Sequence, residues 1–288
     1  MTSSIRWHLK KTARKGIALG HWAACRVRSA DAFATAELRV LTYHRFGEIL
    51  RDPFCVASSD FAAQMAWLAE QGLAVSLADV DAFVHDGKAL KPGSVLVTID
   101  DGCRSVGTIA LPILKRYHVP AVVFVSSGNV GRTTSQRNQQ GETPIEDYMD
   151  WRELNELTEC GIEIGSHAVT HRSLGRMPLS EAEKEIQNSR AELERELGRP
   201  VNAFAYPYGT LADFNHGVAE AMKAAGYRLA FTSQHGAIRP NMDAMTLPRI
   251  KVEGGDESWL FPAAARGGLD AWRWIDRALW RIQASGRG

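Results

Sequence analysis

Ser94-Val95-Leu96-Val97-Thr98-Ile99-Asp100-Asp101-Gly102 is the stretch that decides how this chain is read. Val95–Ile99 is apolar and β-branched with no helical spacing, which predicts a buried strand. Such a strand usually ends in Gly, Asn or Ser. Here it ends in two neighbouring carboxylates, which repel each other if both are ionised and poorly solvated. A metal ion beside one of them removes the conflict and leaves the other free as a base. A turn and helix cap ahead of Gly102 is the plain structural alternative. This stretch alone does not choose between the two.

Working outward, strand-like and helix-like segments alternate from residue 38 onward. Leu38–Tyr43 reads as a strand ending at His44-Arg45. Ser58-Ser59-Asp60 reads as the cap of a helix in which Phe61, Met65, Leu68 and Ala69 share a face, closed by Gly72. Val75-Ser76-Leu77 reads as a short strand and Ala78–His85 as a short helix. Ile109–Tyr117 predicts a helix with Pro112 in its first turn, and Ala121–Val125 another buried strand. Trp151–Glu159 predicts a helix and Ile162–Gly165 a strand. Leu179–Leu197 predicts a long charged helix capped by Ser180, with Glu183 three residues on. Val201–Ala205 and Tyr227–Thr232 read as strands, with a helix at Gly217–Ala225 between them. This alternation argues a parallel sheet covered by helices. In a closed α/β barrel the chemistry lies where strands end. The polar residues at those ends are His44, Asp100-Asp101, His167 and Tyr206-Pro207-Tyr208. Residues 126–149 break the rhythm, and their length predicts a lid or substrate wall, or else a surface insertion.

The chain has 288 residues, 45% of them hydrophobic, enough for one large domain or two small ones. A net charge of +1 does not suggest a nucleic-acid binder. Residues 1–30 nevertheless hold Arg6, Lys10, Lys11, Arg14, Lys15, Arg26 and Arg28 and no acid. With +7 there and +1 overall, the remainder carries −6. Such a segment, with Ile5, Trp7, Leu9, Ile17, Leu19 and Trp22, suits either an anionic membrane surface or a solvated arm. As a signal peptide it is weak, because its apolar stretch is short and contains His21. No apolar run reaches the roughly 18–20 residues of a membrane span. Cys25, Cys55, Cys103 and Cys160 are scattered, which fits reduced thiols and a cytoplasmic setting, with peripheral membrane contact as an option.

Two further segments carry chemistry. In Gly165-Ser166-His167-Ala168-Val169-Thr170-His171, three residues separate two imidazoles, a spacing that suits a metal site. With the strand-end Asp pair this makes a two-His, one-Asp set with positions open for water and substrate. Phe204-Ala205-Tyr206-Pro207-Tyr208-Gly209 is a turn whose backbone N–H can face a developing oxyanion.

In this order the three elements resemble the polysaccharide deacetylase family with the NodB homology domain (carbohydrate esterase family 4). The family's T-F-D-D-G stands here as Thr98-Ile99-Asp100-Asp101-Gly102. Its H-[ST]-x-x-H stands as His167-Ala168-Val169-Thr170-His171, with both imidazoles kept. Its R-x-P-Y-G stands as Ala205-Tyr206-Pro207-Tyr208-Gly209, all but the Arg. The likeness covers about residues 38–252. Leu41-Thr42-Tyr43-His44-Arg45 and Leu247-Pro248-Arg249-Ile250 are similar to a subgroup met among bacterial exopolysaccharide proteins.

The resemblance implies a distorted (β/α) barrel in a single domain at 38–262. A basic extension, 1–37, would precede it and an amphipathic helix, 263–288, would follow. It implies a metal-dependent hydrolase that removes N-acetyl groups from amino sugars of a polysaccharide or lipid-linked glycan. Asp100 would be the general base. Asp101, His167 and His171 would hold the ion, Zn²⁺ first with Co²⁺ or Ni²⁺ open. Tyr208 would supply an oxyanion-binding N–H, and Tyr206, Pro207, Tyr208 and Trp151 would meet substrate. Where the family has its third-motif Arg this chain has Ala205, and Arg249 is expected to hold the base instead. The family's late general-acid His is missing near Leu247–Ile250. His44 is the expected substitute, with His216 and His235 as rivals. Two other functions stay open: an impaired carbohydrate-binding protein, and a hydrolase of O-acetyl sugar or cyclic amide. Trp272–Ile282 reads as a basic, Trp-rich helix that either joins the N-terminal segment at a membrane or packs on the barrel.

Overall fold

The structure, a computed structural model, describes residues 3–27, 37–135 and 145–278. Seven parallel strands form one sheet. Their spatial order is Leu229–Phe231, Ala203–Ala205, Glu163–Ser166, Ala121–Val125, Val95–Ile99, Arg39–Tyr43 and Ile250–Lys251. The chain beyond strand Leu229–Phe231 draws the two edges together: Leu247 bridges Phe231, and Ile250 pairs with Leu41. The sheet therefore curls into the distorted barrel that the resemblance implies.

Alternation along each strand splits the apolar residues between two clusters. Val95, Val97 and Ile99 pack outward, beneath the helices Ser58–Gln71, Leu111–Tyr117, Trp151–Glu159, Leu179–Leu197 and His216–Ala224. Leu96 faces inward with Val40, Val122, Phe124, Ala205 and Phe231. Helix Leu77–His85 adds Val80, Phe83 and Val84 to the inner cluster. It sits where strands begin, because His85 and Asp81 both bond Arg228, one residue ahead of Leu229–Phe231. Thr98 and Asp100 continue the inward series begun by Leu96, which puts a carboxylate inside the barrel at the opposite end.

Several local expectations need correction. Val75-Ser76-Leu77 is no strand; only Ala74 bridges Val95. Ser76 instead caps helix Leu77–His85 in a reciprocal capping box with Asp79. Neither Ser58 nor Ser180 is a cap. Both lie inside the first turn, behind Ala57 and Pro178, and no side chain bonds at either helix start. The break at 126–149 begins as a 3₁₀ turn, Ser127–Asn129, and an antiparallel pair of Thr133–Ser135 with Ile145–Asp147. Its base is tied to the Asp-Asp turn: Met149 N–H donates to the Gly102 carbonyl and Arg104 N–H to that of Asp147. Residues 136–144, the tip of the expected lid, lie outside the described residues.

Helix Ser3–Val27 packs on the barrel with Lys11 and Arg14 buried against it. Arg14 Nη2 donates to the Lys251 carbonyl and to Asp256, both at 2.8 Å. Lys11 Nζ reaches Asp256 at 2.7 Å, and Lys10 pairs with Glu253. Ile5, Leu9, Leu19 and Trp22 are left exposed. Lys10, Lys11 and Arg14, three of the basic residues noted in the sequence, are thus paired with one acidic turn of the barrel. Residues 263–278 do not form one continuous helix, and 279–288, the rest of the expected helix, lie outside the described residues. The proposed boundary falls inside helix Leu260–Ala265; a 3₁₀ turn, Asp270–Trp272, and helical residues 273–278 follow. Among the described residues no helix is long and apolar enough to cross a membrane.

Burial by itself would raise the pKa of Glu253, but Lys10, Arg14 and Lys11 outweigh it and hold the carboxyl well below its ordinary value. Arg14→Met is therefore expected to cost about 3 kcal/mol at pH 7, since it strips the partner from buried charge. A carboxylate whose folded pKa is depressed stabilises above its unfolded pKa of about 4.3 and loses that contribution as pH falls further. Urea unfolding of parent and variant should thus differ most near neutrality and converge in acid. Equal midpoints at pH 7 would show that the clamp adds nothing.

Candidate active site

The site begins where strand Val95–Ile99 ends in a sharp turn. Asp101 and Gly102 both stand at φ 75°. The left-handed region costs a residue with a Cβ about 1–2 kcal/mol, so Asp101 is held there against its preference. At Gly102 a Cβ would come within 3.3 Å of the Val125 side chain. This turn separates the two carboxylates. Asp100 points into the barrel and is 3% exposed; Asp101 stands at the mouth.

Asp100 is clamped by Arg249. Its Oδ1 and Oδ2 accept from Nη1 and Nη2, each at 2.7 Å. The guanidinium is fixed in turn. Nε donates to the Thr232 carbonyl at 2.9 Å, Nη1 also reaches Thr98 Oγ1 at 3.3 Å, and the ring of Phe124 lies 5.6 Å away. Burial alone would raise the pKa of Asp100. The Arg249 charge and its paired hydrogen bonds outweigh it and hold the carboxyl below its ordinary value. Asp100 is therefore an ionised, oriented carboxylate near neutral pH. The Arg that Ala205 lacks on one strand is present in space, 149 residues from its partner in sequence.

Asp101 Oδ1 lies 3.5 Å from His167 Nε2 and 3.2 Å from His171 Nε2. One ligand atom from each of the three residues falls within 4.8 Å of the others. His167 Nδ1 sits 2.6 Å from the Ala205 carbonyl oxygen. A carbonyl only accepts, so Nδ1 carries the proton and Nε2 turns a lone pair toward Asp101. A ligating imidazole needs that tautomer. The donors, one carboxylate oxygen and two imidazole nitrogens, fit a divalent ion with open coordination positions.

The remaining expected residues separate into two groups. His44 is at the mouth, where the charges of Asp101 and Asp100 act on it. Burial dominates, lowering its pKa, so the imidazole is neutral near pH 7. Its ring lies 4.9 Å from that of Phe54, which is partly exposed. Tyr208 is also at the mouth, exposed, with its ring 4.9 Å from His171. The turn there is pinned: Ser233 Oγ donates to the Tyr208 carbonyl at 2.6 Å, and a Cβ on Gly209 would sit 2.5 Å from the Ser233 nitrogen.

Tyr206 and Pro207 turn away from the mouth, and Trp151 is half-buried on the outer core. Tyr206 is buried, donating its hydroxyl to the Met245 carbonyl at 3.0 Å and stacking on Phe214. The pairing continues to Tyr206, whose N–H bonds Phe231, and that directs its ring into the outer core with Phe204. Pro207 is buried as well. Trp151 opens helix Trp151–Glu159 behind its Asp150 cap and packs on the same core. Of the rival imidazoles, His216 is exposed at the start of a helix. His235 is buried against Asp276, 2.9 Å from its Nδ1. Sequence reasoning missed the Ala205 carbonyl, Thr98, Thr232 and Phe54. The carbonyl carries no side-chain signal, and the others look like ordinary strand or turn residues.

Comparisons with known proteins agree with this geometry. A family model described as polysaccharide deacetylase matches residues 87–230, half of the chain. A putative polysaccharide deacetylase of Bacillus subtilis (strain 168), YxkH, is 26% identical over 232 residues, covering 79% of this chain and 76% of that one. The poly-beta-1,6-N-acetyl-D-glucosamine N-deacetylase of Staphylococcus epidermidis is 28% identical over 209 residues, covering 69% and 68%. Among solved structures, IcaB from Ammonifex degensii is similar with a TM-score of 0.67 at 27% identity, covering 80% of this chain and 97% of that one. The Streptococcus pyogenes deacetylase PplD in complex with acetate shares the fold, with a TM-score of 0.69 at 19% identity over 81% and 99%.

Proposed function

The chain belongs to the polysaccharide deacetylase family, and we propose that it hydrolyses N-acetyl groups on a bacterial exopolysaccharide built from N-acetylglucosamine. The observation that carries this is a donor set, Asp101, His167 and His171, beside a second carboxylate kept apart from it by Arg249. The relatives named as N-deacetylases of poly-N-acetylglucosamine support the choice of glycan. Zn²⁺ is the ion we favour, since two imidazoles and a carboxylate suit it.

When bound, the ion supplies Lewis acidity toward the acetamide oxygen and the attacking water. The chain's own residues do the rest. Asp100, ionised and held by two hydrogen bonds, accepts the water proton as hydroxide adds to the carbonyl carbon. The backbone N–H of Tyr208 donates to the oxyanion that develops. As the C–N bond breaks, the leaving nitrogen takes its proton from Asp100, because His44 is neutral and serves better as an N–H donor to substrate. Acetate and a free amino sugar result. The exposed rings of Phe54 and Tyr208, next to two site imidazoles, offer apolar faces to sugar rings. An impaired binding protein is disfavoured, because Arg249 supplies the clamp whose loss at Ala205 prompted that alternative.

The test is acetate release by the Zn²⁺-loaded full chain from N-acetylglucosamine oligomers. Acetate should appear in step with new free amines and stop on chelation. Release from O-acetylated glycans alone, with none from the N-acetyl oligomers, would overturn the assignment.

A further inference from the structure

We propose that Glu185 is a positioning residue that builds the His167–His171 loop before any cation arrives. The inference rests on the metal-site reading given above. The loop Ala168-Val169-Thr170 joins the two imidazoles. Ala168 and His171, at either side of Val169-Thr170, stand in the left-handed region at φ 64° and 57°. Neither is a glycine, so the conformation must be imposed by the surroundings.

Helix Leu179–Leu197 imposes it. Glu185 Oε2 accepts from the Val169 and Thr170 N–H groups, each at 2.9 Å. Its Oε1 accepts from Thr170 Oγ1 at 2.7 Å. Four residues on, and hence on the same helix face, buried Ser189 donates to the Ala168 carbonyl at 3.0 Å and shares a 2.7 Å bond with Ser166 Oγ. From the other side, Ser127 N–H donates to the Ala168 carbonyl at 3.1 Å and Gly128 N–H to that of Val169 at 2.9 Å. A Cβ on Gly128 would sit 2.7 Å from that carbonyl, so the loop is pressed close to the chain. The carbonyls of Ala168 and Val169 thus have partners from two elements. The two N–H groups of this loop depend on one carboxylate. Adjacent backbone N–H groups turned the same way form an anion-binding concavity, and here a side chain fills it. The consequence is a His171 ring delivered toward Asp101 by a loop already in its ligating shape.

The experiment uses the full chain, stripped of metal and then titrated with Zn²⁺ against a chelating dye. Glu185→Ala is expected to weaken Zn²⁺ binding about 10–100-fold, the usual range for residues that orient ligands. It should also shift the visible spectrum of the Co²⁺-loaded protein. Glu185→Gln should restore affinity to within about 3-fold of the parent, by the same reasoning. Its amide oxygen can accept both N–H groups, and its NH₂ can face Thr170 Oγ1. Hydrogen exchange on the metal-free parent provides a measurement that needs no variant: the amides of Val169 and Thr170 should be protected. Glu185→Ala binding Zn²⁺ as tightly as the parent would overturn the proposal, and so would unprotected exchange at those amides. If Glu185→Ala does not fold, the exchange result decides. A parent that binds no Zn²⁺ would overturn the metal-site reading instead, and the exchange result would still judge the loop.

Discussion

Asp101→Ala should leave a folded protein that neither retains Zn²⁺ nor releases acetate, whereas Asp100→Asn should keep the ion and lose turnover. The two residues are neighbours in sequence, but the left-handed turn at Asp101 sends them into different surroundings. Asp101 contributes the only carboxylate of the donor set, 3.2 and 3.5 Å from the two imidazoles. Without it two nitrogens remain, too few for a stable site. Asp100 has no part in that set; both its oxygens are taken by Arg249. Asparagine there keeps the shape but cannot accept the water proton, and general-base loss of this kind costs about 10³-fold in kcat. Metal content per chain and acetate release, measured on both variants, separate the roles. Normal acetate release by Asp101→Ala would end the metal reading. Loss of Zn²⁺ from Asp100→Asn would mean that the two carboxylates are not independent.

The fold was legible where one physical requirement dominated. Val95–Ile99 has to be a buried strand because no helical face can be drawn through it, and in Trp151–Glu159 Leu154 and Leu157 share one inward face. Reading failed where two local signals competed. Ser76 with Asp79 is a capping box, yet Val75-Ser76-Leu77 also alternates like a strand, and the cap prevails. In the site, the ligands were legible as side chains with unusual spacing. What orients them was not. The Ala205 carbonyl that sets the His167 tautomer is backbone, and Glu185 is one acid among several on a charged helix. Tyr206 shows the converse: it sits in the motif, but the alternation of the strand turns it into the core.

Arg249→Met is expected to damage both stability and catalysis. The parent buries an ion pair with 1% and 5% of its side-chain surface exposed. Removing one partner of such a pair costs about 3–5 kcal/mol, because the other is left as an uncompensated buried charge. The Thr232 carbonyl and the Thr98 hydroxyl lose a contact at the same time. The alternative for Asp100 is to take up a proton, which spares the charge but removes the base. Its folded pKa, now below the ordinary value, would rise. The parent pair stabilises above the unfolded Asp pKa of about 3.9 and loses that contribution as pH falls through the folded value. The variant should therefore fall further behind the parent between pH 5 and pH 8, and its acid limb in kcat/KM should move to higher pH. A carboxylate misplaced by about 1 Å costs on the order of 10²-fold in rate. Arg249→Lys should recover part of the stability but little of the rate, since an ammonium cannot hold both oxygens in a fixed fork. Urea midpoints at the two pH values, with acetate kinetics beside them, give the comparison. A Met variant that unfolds with the parent and turns over at the parent's rate would show that Asp100 needs no clamp.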